Sequence, residues 1–189
     1  MKIPSKPVFL SLSWLACLVA TPAAAQLTQN AQIYLDGIGS IQAGMTITEA
    51  EQAGGIKLVK PGSGDRRGCY YIQPLNAALD VEFMVFGQGQ GNPHHDRIVR
   101  VDINQSSTIT TRSGAGIGTT EAEIKAMYPG QIKVTGNRYT WQSGGNDLTY
   151  MPRDAADKKY SLIFETLNGK VTQFRSGLAD AVAQVERCR

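Results

Sequence analysis

The two histidines of this chain are adjacent, in Asn92-Pro93-His94-His95-Asp96, and with Asp96 they offer part of a metal shell. Neighbouring ligands on one loop seldom converge on one ion, and no further histidine or free thiolate is at hand to complete the shell. The run reads as a solvated loop. A Ser-His-Asp hydrolase needs a serine on a fixed elbow, and no G-x-S-x-G occurs. The glycines of Gly114-Ala115-Gly116-Ile117-Gly118 match neither a dinucleotide fingerprint nor a phosphate loop, since no lysine follows them. They read as a lead-in to a helix. Asp80, Glu82 and Asp102 fall at alternate strand positions expected to face solvent, where they would pair with Arg97 or Arg100 across strands. The expected sets of catalytic, cofactor-binding and metal-binding residues are therefore empty.

The remaining chemistry is that of sulfur and of aromatic surface. Residues 1–25 have the form of a secretory signal: Lys2 and Lys6 precede an apolar stretch from Val8 to Val19, and Ala23-Ala24-Ala25 supplies small residues before Gln26. The apolar stretch is short of the about 20 residues that span a bilayer. The rival reading is a lipoprotein acylated at Cys17. Cleavage after Ala25 removes Lys2 and Lys6, taking the net charge from +3 to +1, so no basic excess is left to neutralise phosphates and a nucleic-acid partner is disfavoured. The product is expected in the periplasm or outside the cell. Cys69 and Cys188 then remain and are expected to form one disulfide; a two-cysteine metal or redox site is the alternative, and the wide spacing disfavours it.

The elements that must position these groups follow from two helix starts of the same form. In Gly44-Met45-Thr46-Ile47-Thr48-Glu49 and in Gly118-Thr119-Thr120-Glu121-Ala122-Glu123, a threonine stands two residues after a glycine and three before a glutamate. This spacing predicts a capping box: the hydroxyl accepts from the third helical N–H, and the carboxylate accepts from the threonine N–H. The first helix should stop near Gly54-Gly55 and the second near Pro129-Gly130. Strand alternation follows each helix, over Leu79–Val85 and Val99–Ile103 in the first half and over 160–165 and 170–175 in the second. Asn168-Gly169 marks the hairpin between the last two. Shorter strands are expected at 69–72, 138–142 and 148–151. A weak helical stripe of Leu178, Ala181, Val182 and Val185 closes the chain.

The expected fold class is α+β, as two tandem helix-plus-antiparallel-sheet units at 26–110 and 111–189, the last residues tied back by the disulfide. The Gly-Met-Thr-x-x-Glu start at Gly44–Glu49, its echo at Gly118–Glu123 and the order of elements resemble the fold shared by small outer-membrane assembly lipoproteins and the β-lactamase inhibitory proteins. The layout is nearer the inhibitors, which carry two tandem units and are secreted. The resemblance implies a fold and carries over no binding residue; a single disulfide joining distant parts of the chain departs from the inhibitors' pattern.

Tyr139 and Trp141 are expected on one face of the 138–142 strand, and Leu148 and Tyr150 on one face of the next. Tyr139, Trp141 and Tyr150 are either core or an exposed patch for a protein partner, with Arg66 and Arg67 as rim charges. The function expected is an exported, non-enzymatic protein-binding module, inhibitor-like or an assembly factor, whose partner is another envelope or extracellular protein. The alternatives are a small secreted hydrolase or lyase using acidic residues, and a purely structural envelope protein.

Overall fold

The computed structural model describes residues 26–62, 68–75, 79–87, 92 and 94–188. The signal segment, Cys17, Arg66 and Arg67 lie outside the described residues. The chain enters through three short strands, β1 (Gln32–Tyr34), β2 (Gly37–Ile38) and β3 (Ile41–Gln42), followed by helix α1 (Ile47–Gly54). Strands β4 (Leu58–Val59), β5 (Gly68–Pro74), β6 (Val81–Gly87), β7 (Arg97–Ile103) and β8 (Thr110–Thr111) come next. Helix α2 (Glu121–Met127) precedes β9 (Ile132–Gly136), β10 (Asn146–Tyr150), β11 (Tyr160–Leu167) and β12 (Lys170–Leu178), and a four-residue helix α3 (Ala179–Val182) follows.

The expectation of two helix-plus-sheet units fails. The protein is mostly β, and its main feature is one eight-stranded sheet in the order β4-β5-β6-β7-β12-β11-β10-β9. All its neighbours are antiparallel. The reason lies at the centre, where Phe174, Arg175, Ser176 and Gly177 of β12 pair with Ile103, Asp102, Val101 and Arg100 of β7. Gly177 (φ 140°) permits that junction, because a Cβ there would collide with the Val99 carbonyl oxygen. A second, four-stranded sheet takes the order β3-β2-β1-β8, and its β1–β8 pair is parallel. The expected boundary at 110/111 falls inside β8, which bonds to the first strand of the chain.

The helices are short, and their ends are built as the sequence predicts. Thr46 and Thr120 each accept from the third helical N–H, at 3.2 and 3.3 Å, while their own N–H groups donate to Glu49 and Glu123 at 2.7 and 2.8 Å. Gly55 ends α1 in the left-handed region, at φ 57°. Each start is tied to the main sheet: Gly44 N donates to Ile98 O at 2.7 Å, and Gly118 N to Val171 O at 2.8 Å. Thr46→Ala and Thr120→Ala should each cost about 1 kcal/mol in urea unfolding, and no measurable loss at either would contradict the caps. Those same backbone bonds hold the Glu49 and Glu123 carboxyls below the ordinary glutamate range. Their folded-state values being depressed, the stability they lend is complete above the unfolded carboxyl range and is lost as pH falls through the folded one.

One face of the eight-stranded sheet carries the core. Phe83, Phe164, Phe174, Ile72, Ile98, Ile103 and Leu148 are buried there with Ile47 and Ala50 of α1 and Ile124 of α2. Phe164 and Phe174 stack with ring centres 5.5 Å apart. The small sheet closes the same core through Ile33, Ile38 and Ile41. The other face is the more polar, carrying Arg100, Asp102 and Arg175 beside a small apolar cluster of Tyr71, Met84 and Val99, and the C-terminal segment covers its middle.

Candidate functional site

Strand β9 ends at Gly136, two residues before the expected aromatic strand at 138–142 begins. Residues 138–142 are not a strand. Asn137 captures the chain as it leaves β9: its Oδ1 accepts from Tyr139 N at 3.0 Å, Thr140 N at 3.1 Å and Thr140 Oγ1 at 2.9 Å. Its Nδ2 donates to Asp147 Oδ1 at 2.8 Å, which anchors the turn to β10. Asn137 is itself buried. A 3₁₀ turn at Trp141–Ser143 follows, closed by Trp141 N to Asn137 O at 3.0 Å and Gly145 N to Thr140 O at 2.9 Å.

This turn holds two large aromatic side chains in solvent. Tyr139 and Trp141 are each 61% exposed. The Arg138 guanidinium lies 6.0 Å over the Tyr139 ring and 3.7 Å from Glu186, so a basic group borders the pair. A turn this heavily bonded has little backbone entropy left to lose on binding, and tyrosine and tryptophan add contact area at low side-chain entropy. Tyr150 is elsewhere. It lies on the core side of β10, edge-on to Tyr128 at 5.2 Å, with its hydroxyl accepting from Gln131 Nε2 at 2.8 Å. It packs at the far end of the β9–β10 pair, opposite Ile132, and does not join the exposed pair.

Cys69 and Cys188 form the expected disulfide, 119 residues apart in sequence. It fastens a C-terminal strap, residues 178–188, across the polar face. The strap holds α3 in place of the longer helical stripe expected there, with Ala181 and Val182 buried. Beneath it lie charges that the sequence reading assigned to solvent. Arg100 is 3% exposed; it donates to the carbonyls of Ala181 and Gln184 at 2.8 Å each, to the Tyr71 hydroxyl at 2.5 Å and to Asp102 at 2.9 Å. The Arg100–Asp102 pair is made along one strand, where a cross-strand pair was expected. Arg175 donates to Val182 O at 2.7 Å and pairs with Glu165. Arg187 of the strap bonds Glu82 at 2.8 Å and lies 4.2 Å over the Tyr71 ring. Burial raises the Asp102 carboxyl above its ordinary range, and Arg100 opposes that.

Period-two alternation had found this face but could not show its cover. The one available signal was the cysteine pair, which demands that the chain's end lie on β5. The three acidic candidates are each engaged: Asp102 pairs with Arg100, Glu82 accepts from Arg187 at 2.8 Å, and Asp80 Oδ2 accepts from Ser106 N at 2.8 Å. The His94 ring nitrogen Nδ1 lies 3.2 Å from the Thr48 hydroxyl at the start of α1, and both histidines are exposed. Asp96 turns away from them, buried and accepting from the Tyr70 hydroxyl at 2.5 Å. Among the described residues, no group of three or more His, Cys, Asp or Glu is placed to hold a metal ion. Nor is any helix among them long and apolar enough to cross a membrane. No protein-family model and no curated protein matches the chain.

Proposed function

We propose that this is an exported, non-enzymatic recognition module whose contact point for another envelope or extracellular protein is the 137–145 turn. The observation that carries the reading is the pinned aromatic pair. Interface hot spots are enriched in tryptophan and tyrosine, and here both are held well exposed on one bonded turn. The strap disulfide fits an oxidising compartment. An inhibitor and an assembly factor are both consistent with the reading, since each acts by surface recognition alone.

In-cell cross-linking of the full chain tests it. Trp141→Ala should lower recovery of the cross-linked partner by about 30-fold, the weight of a hot spot of about 2 kcal/mol. Because the indole lies mainly in solvent, the melting temperature should stay unchanged. Undiminished recovery would refute the reading, as would a partner lost only in step with stability.

A further inference from the structure

Strand β9 forms one edge of the eight-stranded sheet and pairs only with β10 among the described strands. Its register fixes which backbone groups face outward. Asn137 N donates to Gly145 O and Met151 N to Gln131 O, at 3.0 and 2.7 Å. Bonded pairs alternate with non-bonded pairs in an antiparallel ladder, so Lys133 and Thr135 exchange bonds with β10. Ile132, Val134 and Gly136 therefore direct their N–H and C=O groups away from the sheet. The opposite edge, β4, is two residues long and offers much less. A five-residue open edge is a template for another strand.

The side chains along this edge define what the strand should carry. Val134 stands on the core side, opposite Leu148, yet is 42% exposed. Two residues on, Gly136 leaves room that the neighbouring tryptophan uses: a Cβ at Gly136 would lie 3.2 Å from Trp141 Cβ. Val134 and Trp141 thus make successive apolar steps on one side of the edge. On the other side Lys133 is exposed, opposite Thr149, with no ion pair among the described residues.

We propose that β9 receives an extended partner segment by strand addition, with apolar side chains toward Val134 and Trp141 alternating with acidic ones toward Lys133. This rests on the recognition reading above and states how the partner is held. Main-chain bonds supply affinity in this mode, and the alternate side chains supply specificity. A second copy fits less well: in antiparallel self-pairing centred on Val134, Lys133 would face Thr135 of the second copy and stay without a counter-charge.

The probe is a blocked, fluorescein-labelled pentapeptide of alternating valine and aspartate, titrated by anisotropy against the full mature chain, beside a valine–lysine counterpart. The acidic peptide should bind about ten-fold more tightly than the basic one, and Lys133→Glu should reverse the order. Val134→Pro removes one outward N–H and leaves the bonds to β10, so it should weaken the acidic peptide about ten-fold at unchanged melting temperature. Should that variant prove unstable, amide exchange in the unsubstituted protein decides: Ile132, Val134 and Gly136 must slow on saturation with the acidic peptide. Equal binding of the two peptides, unchanged exchange at these amides, or self-association through β9 in sedimentation would each overturn strand addition. If the peptides fail while the Trp141-dependent cross-link persists, strand addition falls and the recognition reading stands.

Discussion

Arg100→Met is expected to destabilise the protein by about 3–5 kcal/mol in urea unfolding, the cost of leaving a buried charge without its partner. The substitution keeps much of the side chain's volume but removes every donor. The carbonyls of Ala181 and Gln184, the Tyr71 hydroxyl and the Asp102 carboxylate all lose a bond at once. The loss should depend on pH with a definite sign. Burial already raises Asp102, and without Arg100 only the charges of Arg175 and Arg187 are left to oppose it, so the folded state of the variant holds a proton more firmly than the unfolded chain does. Stability of the variant should then be best below the unfolded carboxyl range and fall as pH rises through the folded value. Adding Asp102→Leu should restore part of the loss and flatten that dependence. A single-variant loss of under about 1 kcal/mol, the scale of an exposed pair, would show that the cluster is hydrated and the strap is not closed over it.

Replacing both Cys69 and Cys188 by serine should cost about 2–4 kcal/mol, although a chain-entropy estimate for so long a loop is higher. The strap has little apolar anchorage of its own: Ala181 packs with Tyr71, Met84 and Val99, Arg175 holds Val182 at the end of α3, and beyond α3 Arg100 holds Gln184 while Arg187 bonds Glu82. Amide exchange should therefore quicken first at 181–186, while the amides of β7 and β12 change least. The disulfide and Arg100 hold the same segment, so their losses should fall short of additive. Additive losses, or exchange that quickens equally across the sheet, would contradict a strap acting as one unit.

Local chemistry was legible in the sequence wherever a local rule decided the structure. Thr46 and Thr120 sit at helix starts because a hydroxyl and a carboxylate three residues apart satisfy each other's backbone groups. Asn168 and Gly169, at φ 52° and 74°, turn the β11–β12 hairpin as their types demand. The alternation in β6 marked Val81, Phe83 and Val85 as core, but in β7 it grouped Val99 with Val101 and Ile103, whereas a register shift beside Met84 and Val85 turns Val99 to the strap side and puts Ile98 in the core. What failed depended on distant contacts. The β7–β12 junction that joins strands of both halves into the eight-stranded sheet leaves no local trace, and a helix cap says nothing of how short the helix is. Alternation also cannot tell a solvent face from one covered by another segment, which hid the Arg100 cluster. At the candidate site, Tyr139-x-Trp141 has the period of a strand, yet Asn137, two residues before Tyr139, captures the same backbone donors and bends the chain. That error moved the two aromatics from a strand to a turn. Tyr150 was grouped with them by type, and its position on the core side of β10 separates it.

On the function proposed above, the Asn137-pinned turn meets a partner. A photo-reactive benzoylphenylalanine placed at Tyr139 in the full chain, activated in producing cells, tests this most directly. A control at Lys158, exposed on the 3₁₀ turn before β11, sets the background. Position 139 should give one discrete adduct with a different protein, absent from position 158 and lost when Trp141→Ala is added. Adducts of the chain with itself alone, or the same pattern from both positions, would contradict it.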